Sequence, residues 1–144
     1  MTSQTHLKTS RAFLKAGILI GGAALVGTGI KFAPNPDTQT IARLLTSHLA
    51  YPELAIQLGG SILKNDTQLA TLTLDQMTNI VLNDAGFNRE KVTYFSLLNN
   101  FDAYRRTLHE DFAIENILHV DGWVLSATEA HLCALLYLYK NSSA

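Results

Sequence analysis

The feature that most constrains this chain is the way its first quarter is segregated from the rest. Residues 1 to 15 carry His6, Lys8, Arg11 and Lys15 and no acid, and from Ala16 to Ile30 no residue is charged. A basic stretch followed by an apolar one is the pattern that export machinery reads at an N-terminus. A buried helix of a cytosolic domain is a poor alternative, because Gly17, Gly21, Gly22, Gly27 and Gly29 lie within the apolar run, and each glycine costs a helix up to about 1 kcal/mol relative to alanine. As a helix the run would be about 22 Å long at 1.5 Å per residue, short of the roughly 30 Å hydrocarbon core. Snorkelling by Lys31 would extend the span over Phe32 and Ala33. Gly27 and Gly29 also give the small-residue spacing that a signal peptidase requires. The expectation is therefore a signal peptide or membrane anchor over residues 1–33, touching the membrane if it is retained.

Pro34-Asn35-Pro36-Asp37 follows. Two prolines in three residues stop a helix and push their neighbours toward extended conformations, so residues 34–37 read as a linker and 38–144 as one folded domain. A domain of that size has room for a real core. The lone Cys133 cannot make an internal disulfide, so packing alone must hold the fold. The formal charge of −1 offers no basic surface, which argues against nucleic acid as a partner.

Within the domain the periodicities predict a mainly helical bundle of about five helices, with one short β-hairpin before the last. Asp37 or Thr38 caps a first helix to about Leu49. A second starts at Pro52, where Gly59-Gly60 implies either a kink or a close helix crossing. Thr73 and Gln76 have capping-box spacing for a third, which stops at Gly86. Asn88 is expected to cap the longest helix, Arg89 to Ile114, whose Val92, Phe95, Leu98, Phe101, Leu108 and Phe112 recur every three or four residues. Tyr104 or Arg105 bridges one gap in that stripe, and Asp102–Arg106 and Arg106–Glu110 have ion-pair spacing on the opposite face. Asp121-Gly122 between Ile117–Val120 and Trp123–Leu125 signals a type I′ hairpin. Ser126 and Glu129 form a second capping box, and Leu132 to Tyr139 is apolar almost all round, as expected of a central helix.

The chemistry-bearing residues form no motif. His109-Glu110-Asp111 lie about 100° apart on a helix and read as polar side chains facing solvent. His119 with Asp121, and Glu129 with His131, flank a turn and a helix start and read as hydrogen-bonded structural residues. Cys133 sits in an apolar helix, where a thiol is inert. Gly59-Gly60 lacks the strand and the Lys-Ser or Lys-Thr of a phosphate loop. No catalytic residue, metal ligand or cofactor site is assigned. Trp123 is singled out for partner contact, since tryptophan is enriched in binding hot spots.

The stretch Thr9-Ser10-Arg11-Ala12-Phe13-Leu14-Lys15 resembles the twin-arginine export signal. Arg11, Phe13, Leu14 and Lys15 fall on its positions, while Ser10 stands where the first arginine belongs. This resemblance implies a destination in the bacterial periplasm, or at the inner membrane facing it, by the twin-arginine or the general secretory route. The ending Val120-Asp121-Gly122-Trp123-Val124-Leu125-Ser126-Ala127-Thr128-Glu129-Ala130 resembles that of small exported bacterial proteins of uncharacterised function. In overall layout, though in no single residue, the chain is similar to the small subunits of membrane-bound, flavin-dependent dehydrogenases, which accompany a catalytic subunit and hold no flavin. The functional expectation is a non-enzymatic accessory protein of the cell envelope with a larger protein subunit as its partner. The competing expectation is a free-standing periplasmic helical module that binds a small apolar ligand between its helices.

Overall fold

The structure, a computed structural model, describes residues 8–9, 35–99 and 101–142. Arg11, Phe13, Leu14 and Lys15 of the expected export signal lie outside the described residues, as does most of the expected signal or anchor. Six helices and a β-hairpin make up the body: α1 (Thr38–Thr46), α2 (Pro52–Asn65), α3 (Leu74–Asp84), α4 (Tyr94–Asn99), α5 (Phe101–Ala113), β2 (Ile117–Val120), β3 (Trp123–Ser126) and α6 (Ala127–Ser142). A 3₁₀ turn, Leu69–Thr71, links α2 to α3. The backbone of a two-residue strand, β1 (Lys8–Thr9), pairs in parallel with Trp123 and Val124 of β3. No helix among the described residues is long and apolar enough to cross a membrane.

The starts of the helices follow from local hydrogen-bond chemistry. Asp37 caps α1 by accepting from the Thr40 backbone N–H at 2.7 Å. That bonding, aided by the nearby charges of Arg89 and Arg43, lowers its carboxyl pKa from the ordinary value. The Thr73 box is formed in both directions, with Gln76 N–H donating to Thr73 Oγ1 at 3.1 Å and Thr73 N–H to Gln76 Oε1 at 2.9 Å. Gly86, at φ +80°, closes α3. There the Phe87 N–H reaches Leu82 O and the Gly86 N–H reaches Asn83 O, satisfying carbonyls that the helix end would orphan.

Of the single long helix expected from Arg89 to Ile114, the first residues form a turn instead, and helix begins only at Tyr94. Asn88 accepts from the Glu90 N–H through its side chain and from the Lys91 N–H through its carbonyl, which curls the chain over 88–91 into a turn. A third box then restarts the helix: Thr93 N–H donates to Ser96 Oγ, and Ser96 N–H donates to Thr93 Oγ1. Apolar periodicity is blind to that box. The change of direction rotates Phe95, expected inside, to 65% exposure and buries Leu97 in its place. Tyr104 fills the gap in the stripe: it is buried and its hydroxyl donates to Val81 O at 3.0 Å. Arg105 turns out to pair with Asp102 at 3.4 Å, in place of the expected Asp102–Arg106 contact.

The hairpin follows the Asp-Gly expectation. Asp121 (φ 49°) and Gly122 (φ 82°) both take the positive angles of a type I′ turn, and β2 and β3 pair antiparallel with Val120 opposite Trp123. Helix α6 lies at the centre and packs against α1, α2, α3, α5 and the hairpin. Its Ala130, Cys133, Ala134 and Leu135 are fully buried, together with Ile41 of α1, Ala55 of α2 and Met77, Val81 and Leu82 of α3. Of the glycine pair of α2, Gly59 marks a close crossing with α6. A Cβ on Gly59 would stand 2.1 Å from Cys133 O, so only glycine lets the two backbones approach.

Candidate functional site

The polar residues flagged in the sequence are dispersed over the fold. His119 is exposed on β2, and Asp121 at the hairpin tip accepts a hydrogen bond from Ser61 Oγ of α2. Glu129 is wholly buried at the start of α6, where Oε2 accepts from the Ser126 N–H at 2.8 Å while its own N–H donates to Ser126 Oγ at 3.0 Å. His131 points to a different neighbour, its Nδ1 lying 2.7 Å from Asp84 Oδ2 at the end of α3. The set His119, Asp121, Glu129 and His131 therefore does not converge on one site.

Asp111 departs from its expected place on the surface. It is buried, and its Oδ2 accepts from both the backbone N–H (2.9 Å) and the hydroxyl (2.7 Å) of Thr128, while Asn116 Nδ2 donates to Oδ1 at 3.2 Å. Thr128 stands in the first turn of α6, where unpaired N–H groups and the positive end of the helix dipole favour an anion. Asp111 thus caps from α5 a helix that begins sixteen residues later. His109 and Glu110, its neighbours in sequence, are exposed.

Cys133 is free and fully buried, and burial, reinforced by the Glu129 charge, drives its thiol pKa far above the ordinary value. Such a thiol is no nucleophile. Trp123 opens β3 half-buried and rests against the core, which leaves part of the ring at the surface beside the hairpin turn. Among the described residues no three His, Cys, Asp or Glu side chains gather as a metal site.

Two open clefts indent the surface. One, of about 490 Å³, lies between the end of α2 and the hairpin and is lined by Ser61, Asn65, Asp66, Gln68 and His119 among others. The other, of about 650 Å³, runs along α3 and the turn that follows it, between Asn79 and Glu90. Polar and apolar groups share their walls, with Phe87 in the larger and Ile62, Leu118 and Val120 in the smaller, while the leucine-rich helix faces pack into one another. Neither Asp111 nor the His131–Asp84 pair was legible as a contact in the sequence, because the partners lie 17 and 47 residues away. No family model, no curated protein and no solved structure matches the chain.

Proposed function

We propose that the chain is a non-enzymatic accessory protein of the bacterial cell envelope, either free in the periplasm or anchored in the inner membrane and facing it. Its role is to bind a larger protein, with the catalytic subunit of an exported oxidoreductase as the leading case. The observation that carries the reading is the basic-then-apolar N-terminal segment, set off by Pro34 and Pro36 from a folded body. The use of the buried polar groups supports it. Asp111 and Glu129 hold the start of α6, and His131 ties that helix to α3. Large apolar side chains at the surface, Tyr51, Phe95 and Ile114, together with the outer part of Trp123, offer contact area to a partner.

The test is to express the full chain with a C-terminal tag in a bacterial host, separate periplasm, membrane and cytosol, sequence the mature N-terminus and identify what co-purifies. A periplasmic or membrane protein that brings down a larger oxidoreductase subunit is the expected result. Trp123→Ala should then weaken that association about tenfold, the typical effect of truncating an interfacial tryptophan. An uncleaved chain confined to the cytosol overturns the reading.

A further inference from the structure

Strand β3 is the middle strand of the sheet, in the order β1-β3-β2. In a two-residue type I′ hairpin the pair beside the turn, Val120 and Trp123, exchanges both ladder bonds, and the pair two residues further on, Leu118 and Leu125, does the same. Val124 lies between them, so its N–H and C=O point away from β2. The next residue to face that way is Ser126, whose N–H donates to Glu129 Oε2. Val124 thus holds a backbone donor and acceptor on the outer edge, and Lys8 and Thr9 cover that edge, in parallel and in register with Trp123 and Val124. This register sets the Val124 N–H against the Lys8 carbonyl.

The edge exists only in the folded chain. Val120 and Leu125 are buried in the core, Asp121 at the turn accepts from Ser61 Oγ of α2, and at the base the Ala127 N–H donates to Asn116 O at 2.9 Å. A hairpin alone is marginal in water, so β3 offers its edge once the body has formed. What it takes is the start of the segment on which the export reading stands. Lys8 belongs to the basic stretch, and Thr9 opens Thr9–Lys15, two residues before Arg11. Backbone groups engaged by β3 are not available to a second protein, and a receptor that grips the chain at Arg11 meets the hairpin while the pairing holds. The segment is tethered to the body it meets, so the contact is independent of concentration. A few backbone bonds hold weakly in water, which makes the docking reversible and its effect a delay.

We propose that the outer edge of β3 is a docking site for the chain's own N-terminal segment, by which the folded body withholds the start of the export signal. The signal is open while the chain is unfolded and covered once the hairpin is in place. The proposal rests on the envelope reading above and specifies how that address is regulated.

The test is NMR of the ¹⁵N,¹³C-labelled full chain in mild detergent. It should show a coupling across the hydrogen bond from the Val124 nitrogen to the Lys8 carbonyl carbon, unchanged on dilution. Val124→Pro removes an N–H that faces β1 alone, so β2 and β3 keep their own bonds. The Lys8 amide should then exchange with solvent about fivefold faster, the scale set by one net backbone hydrogen bond, at a melting temperature near that of the wild type. If the proline unsettles the hairpin, the wild-type coupling decides alone. Absence of the coupling, or a coupling that fades on dilution because a second copy supplies the strand, overturns the docking. In bacterial cells, pulse-labelled Val124→Pro should leave the cytosol several-fold sooner than the wild type, and equal export of the two overturns the withholding. Failure of both forms to reach the envelope, with the coupling present, sinks the envelope reading and leaves the docking standing.

Discussion

Asp111 holds the start of α6 through a contact that cannot be read locally. One carboxylate oxygen takes two donors from Thr128 in a buried setting, and hydrogen bonds to a charged group contribute about 1.5 to 3 kcal/mol each way of counting, more when a donor is stranded. Asp111→Ala should therefore lower the unfolding free energy by about 3 kcal/mol, read from urea denaturation. Asp111→Asn should recover part of the loss, since its amide oxygen still accepts from Thr128. His48 makes a second prediction at this scale. It is buried, and burial lowers its pKa below 6.5, so the unfolded chain binds a proton at a pH where the folded one does not. The fold is undiminished above pH 6.5 and loses stability as the pH falls from there toward the lowered value. The slope contributed by one such group is at most about 1.4 kcal/mol per pH unit. Urea midpoints of the wild type and of His48→Gln, compared between pH 7.5 and 5.5, should diverge in slope, with the variant the flatter. Parallel curves would show that His48 is not the group that titrates.

Among the elements, the crossing of α2 with α6 carries the sharpest test. Gly59→Ala forces a Cβ against the Cys133 carbonyl, a backbone atom that cannot yield without moving α6, and should cost about 3 kcal/mol. Gly60→Ala meets only the Tyr137 ring at 3.1 Å. The ring can swing, and alanine regains up to about 1 kcal/mol of helix propensity. The variant should stay within about 1 kcal/mol of wild type by thermal melting. If both substitutions behave alike, the close approach is not what the glycine is for. The same elements show why some of the fold was legible and some was not. The boxes at Thr73 and Ser126 and the Asp121-Gly122 turn are chemistry confined to a few consecutive residues, so the letters suffice. The segment from Arg89 to Ile114 misled because apolar spacing continues across a break that Asn88, Thr93 and Ser96 impose through their side chains. For α2 the glycine pair left two readings open, and only the position of α6 decides between them.

For the molecule as a whole, the question is whether the N-terminal quarter is an address or a part of the fold. The core among the described residues runs from Ile41 to Leu136 and closes on α6, which touches most other elements. Ahead of Asn35, the described residues are Lys8 and Thr9, whose backbone pairs with β3. Two residues at the edge of a small sheet contribute little beside a buried side chain, each of which is worth about 1.5 to 3 kcal/mol. A chain that starts at residue 35 should therefore unfold in one cooperative transition with the denaturant slope of the full chain, because that slope reports the surface exposed on unfolding. Its melting temperature should fall by less than about 5 °C, since roughly 1 kcal/mol moves the midpoint of a domain this size by about 4 to 8 °C. A larger fall, or a shallower slope, would mean that the first quarter completes the body, and a segment the fold needs cannot also be one that an export peptidase removes. A small fall leaves the N-terminal segment free to act as an address, which is the physical condition the envelope reading requires.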